Sequence, residues 1–184
     1  MPDTISIAEY DPRWPELFRR EADRIRTALG DRALRIEHTG STSVPGLVAK
    51  PVVDILLVVA DSADEATYAP DLESACYSLR FREPEWHEHR LFRRPDTEIN
   101  LHILSAGCPE IDRILLFRDW LRTNAADRDL YARTKLALAR QQWDLIQNYA
   151  DAKTAVVEEI LARAGTLDKI PSIHFNRIIA TLAI

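Results

Sequence analysis

The chain has 184 residues, of which 46% are hydrophobic and 29% charged, with a formal net charge of −5. That length and balance suit a soluble globular protein of one domain, or one domain with a helical extension. The acidic balance argues against a general nucleic-acid binder, and no apolar run approaches the ~18 residues of a membrane helix. A small anionic ligand remains compatible, because a local cationic pocket can sit in an acidic protein. Met1-Pro2-Asp3-Thr4 has no basic region followed by an apolar stretch, so no secretory signal is expected. Cys76 and Cys108 form no Cys-x-x-Cys pair and read as two reduced thiols of a cytoplasmic protein.

In chain order, residues 5–8 alternate and read as a short strand. Asp11-Pro12-Arg13-Trp14-Pro15 reads as a turn that opens a helix, since proline suits the first helical position. Leu17, Phe18, Ala22, Ile25 and Leu29 give that helix an apolar face, and Gly30 closes it. Residues 34–38 read as a strand, followed by a polar Gly-Ser turn. Residues 52–60 are a near-continuous β-branched and leucine run, the pattern of a buried central strand. Ser62-Ala63-Asp64-Glu65 matches a capping box, and a helical piece restarting near Pro70 is expected to run to about Leu79. Residues 81–92 read as a strand end and loop. Residues 91–94 and 98–104 flank Pro95-Asp96 as the arms of a hairpin.

The second half is helical. Pro109 opens a helix to about Thr123, Asn124 caps another to about Ile146, and Asn148 caps a third ending near Gly165. The expected class is α+β: a small mixed sheet with helices in residues 1–107, then a helical part in 108–165, as a single domain over 1–165. The tail 166–184 carries Ile170, Ile173, Phe175, Ile178, Ile179, Leu182 and Ile184. It is expected to pack on the domain or on a second copy in a homodimer.

Chemistry concentrates between Ile36 and Ile55. Gly40 reaches backbone angles closed to other residues, and Ser41, Thr42 and Ser43 add three hydroxyls, the makings of an anion-binding turn. Lys50 is close in sequence and can neutralise phosphate. Asp54, on the following strand, can hold Mg²⁺, which takes few protein ligands besides phosphate oxygens and water. The plain alternative is a Ser/Thr-rich turn capping a helix, with Asp54 a hydrogen-bonded strand acid.

The run His38-Thr39-Gly40-Ser41-Thr42-Ser43-Val44-Pro45-Gly46-Leu47, followed by Ala49-Lys50-Pro51 and Asp54-Ile55, resembles the signature of the GrpB family. The resemblance extends to Tyr10-Asp11-Pro12-Arg13-Trp14, Leu91-Phe92-Arg93-Arg94, Asn100-Leu101-His102 and Phe117-Arg118-Asp119-Trp120-Leu121-Arg122, then to Tyr131 through Lys135, and to Tyr149 with Lys153. It reaches about Ala164 and leaves out the tail.

The family is similar to the nucleotidyltransferase, polymerase-β-like superfamily. That resemblance implies a Gly-Ser turn holding a nucleoside triphosphate, and strand acids holding two Mg²⁺ ions. It also implies transfer of a nucleotidyl group to an unknown acceptor with pyrophosphate leaving. Gly40 and Ser41 match the turn and Asp54 the first acid, whereas Leu56 occupies the second acid position. Strand alternation puts Asp54 and Leu56 on one face. The later strand offers Glu98, Asn100 and His102 on one face, with His102 where the superfamily has an acid.

Asp54, Glu98 and His102 are therefore the metal candidates, and Asp54 with His102 the catalytic ones. The phosphate candidates are Gly40, Ser41, Thr42, Ser43, Lys50, Lys135, Lys153 and Arg118; ordinary solvated helix faces are the alternative for the last three. His38 is expected to orient Ser41 or Asp54, or to serve as a structural strand-end residue. His87 and His89 form a His-x-His that lacks the further ligands of a zinc site, so a solvated loop is expected.

Three functions follow. The first is an Mg-dependent nucleotidyltransferase-like protein. The second is an accessory module that keeps the phosphate pocket without turnover. The resemblance ties this one to coenzyme A metabolism, through a similar domain fused to dephospho-CoA kinase. The third is a metal-dependent phosphohydrolase built on Asp54 and His102. No Gly-x-x-x-x-Gly-Lys-Ser/Thr occurs, so a P-loop kinase is not expected.

Overall fold

Pro15 and the apolar spacing after it do begin a helix: α1 spans Trp14–Leu29 and buries Trp14, Glu21, Ala22, Ile25 and Leu29. The computed structural model describes residues 6–141, 143 and 146–165. They fall into two units. The sheet unit comprises Pro12–Thr39 and Val52–Ile111, and the helical unit takes the described residues up to Asp11, Gly40–Pro51 and the described residues from Asp112 onward. The expected tail, 166–184, lies outside the described residues. No described helix is long and apolar enough to cross a membrane.

In the sheet unit, β1 (Arg35–Thr39), β2 (Val53–Val59), β3 (Ser78–Glu83), β4 (His89–Arg94) and β5 (Thr97–Ser105) form one mixed sheet in the order β1-β2-β5-β4-β3. Only β2 and β5 are parallel; the other neighbours are antiparallel. Every residue of β2 is buried, as its unbroken apolar run requires. The hairpin turns at Pro95-Asp96, with Arg94 opposite Thr97. Residues 81–92, expected to be a strand end and loop, contribute to both β3 and β4.

The buried Glu21 of α1 is hydrogen-bonded by Tyr77 Oη at 2.7 Å and by Arg94 Nη1 at 3.2 Å. A buried carboxylate needs such partners to offset its desolvation.

The capping box does not form. Ser62 Oγ lies 2.9 Å from Ser105 Oγ, and the Glu65 carboxylate is taken by Arg82 at 2.6 and 2.7 Å and by Arg90 at 2.5 Å. A short 3₁₀ turn, Glu65–Thr67, results, and α2 (Ala69–Ser74) follows it. α2 also stops five residues before Leu79. The Cys76 N–H bonds to Glu73 O at 2.9 Å and the Tyr77 N–H to Leu72 O at 2.9 Å, with Cys76 at φ 69°. This is a Schellman stop, with buried Leu72 and Tyr77 at its two hydrophobic positions. Cysteine stands where glycine usually signals it.

The helical unit contains α3 (Pro109–Thr123) from Asp112 onward, α4 (Ala125–Ala139), α5 (Ile146–Ala152) and α6 (Thr154–Gly165). Asn124 caps α4 as expected, its side chain accepting from the Asp127 N–H at 3.0 Å. α4 ends earlier than expected: Leu138 O is taken by the Gln141 N–H at 3.1 Å and by Trp143 Nε1 at 2.8 Å. Asn148 lies inside α5 instead of capping a helix. The core of this unit joins Val44 and Leu47 to Phe117, Leu121, Tyr131, Val156, Val157, Ile160 and Leu161. Residues 5–8 contribute no strand among the described residues, only the bridge of Ala8 with Ala49.

Cys76→Gly relieves a positive φ at an exposed position while keeping the Schellman bonds. It is expected to stabilise the protein by about 1 kcal/mol. Urea denaturation of the two proteins measures this; a lower midpoint for the glycine variant would refute it.

Candidate functional site

The sheet gathers polar side chains on one face. Asp54 on β2 stands opposite Asn100 on β5, and Leu56 opposite His102. Leu91 on β4 also stands opposite His102, and Glu83 on β3 opposite His89. With a side-chain period of two, Glu83, His89, His102 and Asp54 share that face, one from each of four strands, along a diagonal. His89 Nδ1 lies 2.9 Å from Glu83 Oε2, and His89 Nε2 lies 3.1 Å from His102 Nδ1. His102 Nε2 then lies 3.5 Å from Asp54 Oδ1. The two imidazoles stack with ring centres 5.3 Å apart. Asn100 Nδ2 donates to Asp54 Oδ1 at 2.9 Å, and Arg93 Nε donates to Asn100 Oδ1 at 2.8 Å.

Asp54, Asn100, His102 and His89 are all buried. Burial pulls the His89 imidazole down to about 4, against the opposing pull of Glu83. It pulls His102 down to about 3. Both rings are therefore neutral at pH 7, each with one N–H and one lone pair.

In the helical unit, Gly40 takes φ 66°, a region open to glycine and strained for other residues, and Ser41–Ser43 close one 3₁₀ turn. Ser41, Thr42 and Ser43 are all buried. Ser43 Oγ donates to Gly40 O at 2.6 Å. Arg122, from α3, clamps the turn from outside: its Nε and Nη2 both donate to Ser43 O, at 3.0 and 2.9 Å. Lys135, from α4, is 2% exposed. Its Nζ donates to Ser41 Oγ at 2.8 Å and to Val48 O, and lies 4.7 Å from the centre of the Tyr131 ring. Among the described residues no carboxylate pairs with Lys135, and burial pushes its amine down to about 7.

The structure thus brings Asp54, Asn100 and His102 together in one unit, and Ser41 and Lys135 together in the other. Lys153 is fully buried, with Nζ 4.4 Å from the Tyr149 ring centre. Arg118 forks onto Asp119 at 2.7 and 3.1 Å. Lys50 is half-buried beside the Ala8–Ala49 bridge. Glu98 is exposed, near the start of β5. The His38 ring stacks on Phe18, 4.9 Å between centres.

The solvated-loop expectation holds for the exposed His87 and fails for His89, which is fully buried on β4. Extending the alternation of Arg93 and Leu91 back by two residues would have placed His89 on the inner face. Glu83 is the residue that sequence reasoning passes over; it places His89 in a solvated loop, and Arg122 only in the family resemblance.

The two-ion Mg²⁺ arrangement that the resemblance implies does not fit these residues. Leu56 is fully buried at the second acid position and Glu98 is exposed. Among the described residues no group of three or more His, Cys, Asp or Glu can hold a metal ion. Asp54 Oδ1 and the buried His102 Nε2, which has no hydrogen-bond partner among the described residues, are the two atoms that would hold a single cation. Such a cation would supply charge neutralisation for a phosphate.

The depressed histidine values give a pH dependence of known sign. The unfolded chain, with imidazoles near 6.5, binds more protons than the folded one below that value. The stability from keeping both rings neutral is complete above pH 6.5. It is lost as pH falls toward about 4 for His89 and about 3 for His102. Between pH 7 and pH 5 each ring accounts for a loss of about 2 kcal/mol. Urea unfolding at the two pH values measures the loss, and the His89→Gln, His102→Gln double variant should abolish most of it. An unchanged difference in that variant would contradict the assignment.

A sequence model described as "GrpB protein" matches residues 4–163. A UPF0157 protein of Halalkalibacterium halodurans is 64% identical over 162 residues, covering 88% of this chain and 83% of that protein. A dephospho-CoA kinase of Mycobacterium bovis is 31% identical over 173 residues, a match that covers 80% of this chain and 42% of the kinase's length. Among solved structures, the conserved protein GrpB from Enterococcus faecalis superposes with a TM-score of 0.77 at 32% identity, covering 88% of this chain and 98% of that one. The Cid1 poly(U) polymerase, with MgGTP bound, superposes with a TM-score of 0.50 at 12% identity, covering 71% and 43% of the two chains. At that identity the likeness is one of fold, and the fold is nucleotidyltransferase-like. The chain is a member of the GrpB family.

Proposed function

We propose that this chain binds a nucleoside triphosphate, with its phosphates held at Gly40, Ser41, Thr42 and Ser43 and neutralised by Lys135. Lys50, Lys153 and Arg118 are the further cations of this reading. Asp54, with His102 beside it, holds one divalent cation. The reaction is nucleotidyl transfer to a small acceptor, whose hydroxyl or phosphate attacks the α-phosphorus while pyrophosphate leaves.

The observation that carries the reading is Lys135. An amine 2% exposed, bonded to Ser41 Oγ and with no carboxylate partner among the described residues, is a cation in want of an anion. Burial without a counter-charge disfavours its protonated form, and an anion seated beside Ser41 would restore it. The nucleotidyltransferase-like fold supports the same assignment.

A second reading, an accessory module without turnover and linked to coenzyme A metabolism, is favoured by Leu56 and by the match to a dephospho-CoA kinase of which this chain spans 42%. Pyrophosphate release separates the two. The first reading expects release from a nucleoside triphosphate incubated with a metabolite pool, lost in Asp54→Ala. Binding without release favours the second.

Calorimetric titration with nucleoside triphosphates, with and without a divalent cation, tests the proposal directly. Binding is expected, and its absence at millimolar ligand would sink the reading. Lys135→Met should weaken binding by at least tenfold.

The pH dependence follows from the depressed amine. Its protonated fraction is about one half at pH 7 and about one hundredth at pH 9. Because the anion binds the protonated form, affinity should fall roughly tenfold per pH unit above pH 7, until the value in the complex is reached. Lys135→Met should be flat over the same range. A flat profile in the unsubstituted protein would count against Lys135 as the phosphate cation.

A further inference from the structure

Lys135 and Ser41 meet in a way that phosphate binding uses in one protonation state only. Lys135 Nζ lies 2.8 Å from Ser41 Oγ, bonds also to Val48 O and covers the Tyr131 ring. An ammonium carries donors alone, so in that state Nζ donates to both oxygens. An amine has a lone pair. It keeps its bond to Val48 O and accepts the Ser41 O–H proton along the same 2.8 Å contact. The cluster then has the form of an activated nucleophile: a serine oxygen, a base within hydrogen-bond reach, and a third group, the Val48 carbonyl, that orients the base. Serine with lysine is a recurring variant of the serine–histidine–acid arrangement.

The surroundings make the amine available. Lys135 is buried, pairs with no carboxylate among the described residues, and is pushed down to about 7 by that burial. The charged side chains of the neighbouring helices are engaged elsewhere. Arg122 of α3 donates to Ser43 O, Arg163 of α6 is paired with Asp127 of α4, and Lys153 lies over the Tyr149 ring. The serine is held still, because Ser43 Oγ and Arg122 fix the turn on either side of it. Ser41, Val48, Tyr131 and Lys135 all belong to the helical unit.

Charge says which electrophile the pair takes. An anion beside Ser41 favours the ammonium and so leaves the serine without a base. An uncharged carbonyl does not. Ser41 is 8% exposed, which limits the acyl group to a small one.

We propose that Ser41 and Lys135 form a nucleophile–base dyad that hydrolyses small uncharged carboxylic esters through an acyl-Ser41 intermediate. Ser41 Oγ attacks the carbonyl carbon as its proton passes to Lys135 Nζ. The ammonium gives that proton to the departing ester oxygen as the bond between that oxygen and the carbonyl carbon breaks, and the alcohol leaves. Water then repeats the exchange. Its proton goes to Lys135, its oxygen joins the carbonyl carbon, and the proton returns to Ser41 Oγ as the carboxylic acid departs. This activity goes beyond phosphate binding: it uses the amine, whereas an anion uses the ammonium.

The full chain incubated with p-nitrophenyl acetate and quenched in acid tests the intermediate. Mass spectrometry of its peptides should place acetyl on Ser41, and an uncharged fluorophosphonate should label the same residue. The acylation rate should rise with pH through about 7 to a plateau. Ser41→Ala should lower hydrolysis to the buffer rate, and Lys135→Met should slow acylation by about 100-fold or more. Lys135→Arg keeps a cation that cannot accept a proton, so it should lose acylation as well.

No label on Ser41, or a rate that follows hydroxide without a plateau, would overturn the dyad; both are read on the unsubstituted protein and need no variant to fold. Acylation at an undiminished rate in folded Lys135→Met would overturn the role of Lys135 as base. Nucleotide titration of the same proteins reports separately on phosphate binding. Nucleotide bound without acylation sinks the dyad alone, and acylation without nucleotide binding supports the dyad and sinks the phosphate reading.

Discussion

Asp54 lies in a strand of which every residue is buried, and its carboxylate has to be accommodated there. A carboxylate cannot be left in an apolar layer without hydrogen bonds. The parallel pairing of β2 with β5 puts Asn100 directly opposite it, and the pleat brings His102 in on the diagonal. From there the requirement spreads outward: Asn100 is oriented by Arg93, His102 by His89, and His89 by Glu83. Four strands of the sheet thus carry residues whose identity follows from one acid. Replacing any link with an apolar residue would leave a buried polar atom without its partner, a loss of about 1–3 kcal/mol.

The helical unit handles a buried charge in the opposite manner. Lys135 is surrounded by neutral acceptors, Ser41 Oγ and Val48 O, and by the Tyr131 ring. None of these neutralises it. A surface lysine bends into solvent and tolerates substitution, whereas this one is held between the serine turn and its own helix. Arg122 grips the same turn through the Ser43 carbonyl, so two helices determine its shape. The turn is therefore held in one shape from both sides.

The sequence made the strands and the long helices readable where pattern and punctuation agreed. β2 stood out as an unbroken apolar run, the β4–β5 hairpin by its Pro95-Asp96 turn, α3 by Pro109 and α4 by Asn124. It was misleading where a local signal was outcompeted. Ser62 and Glu65 carry the spacing of a capping box, yet Ser105, Arg82 and Arg90, all distant in sequence, take their side chains.

The end of α2 was hidden because Cys76 occupies the place of the usual glycine. His89 was hidden because its role depends on which strand lies beside β4, a matter of topology and not of spacing. Lys135 and Lys153 were legible as cations; that both are buried was not, since burial is decided by the partners of a helix.

The strand order has a consequence for how the chain assembles. His89 and His102 are 13 residues apart and meet within a hairpin, while Asp54 and Asn100 are 46 residues apart and meet only through a parallel crossover. Hairpins close in microseconds, and long-range parallel pairings come later because more chain must be ordered first. A folding chain would therefore bring its imidazoles together before the acid arrives, and the hairpin of β4 and β5 stands ready as the edge on which β2 docks.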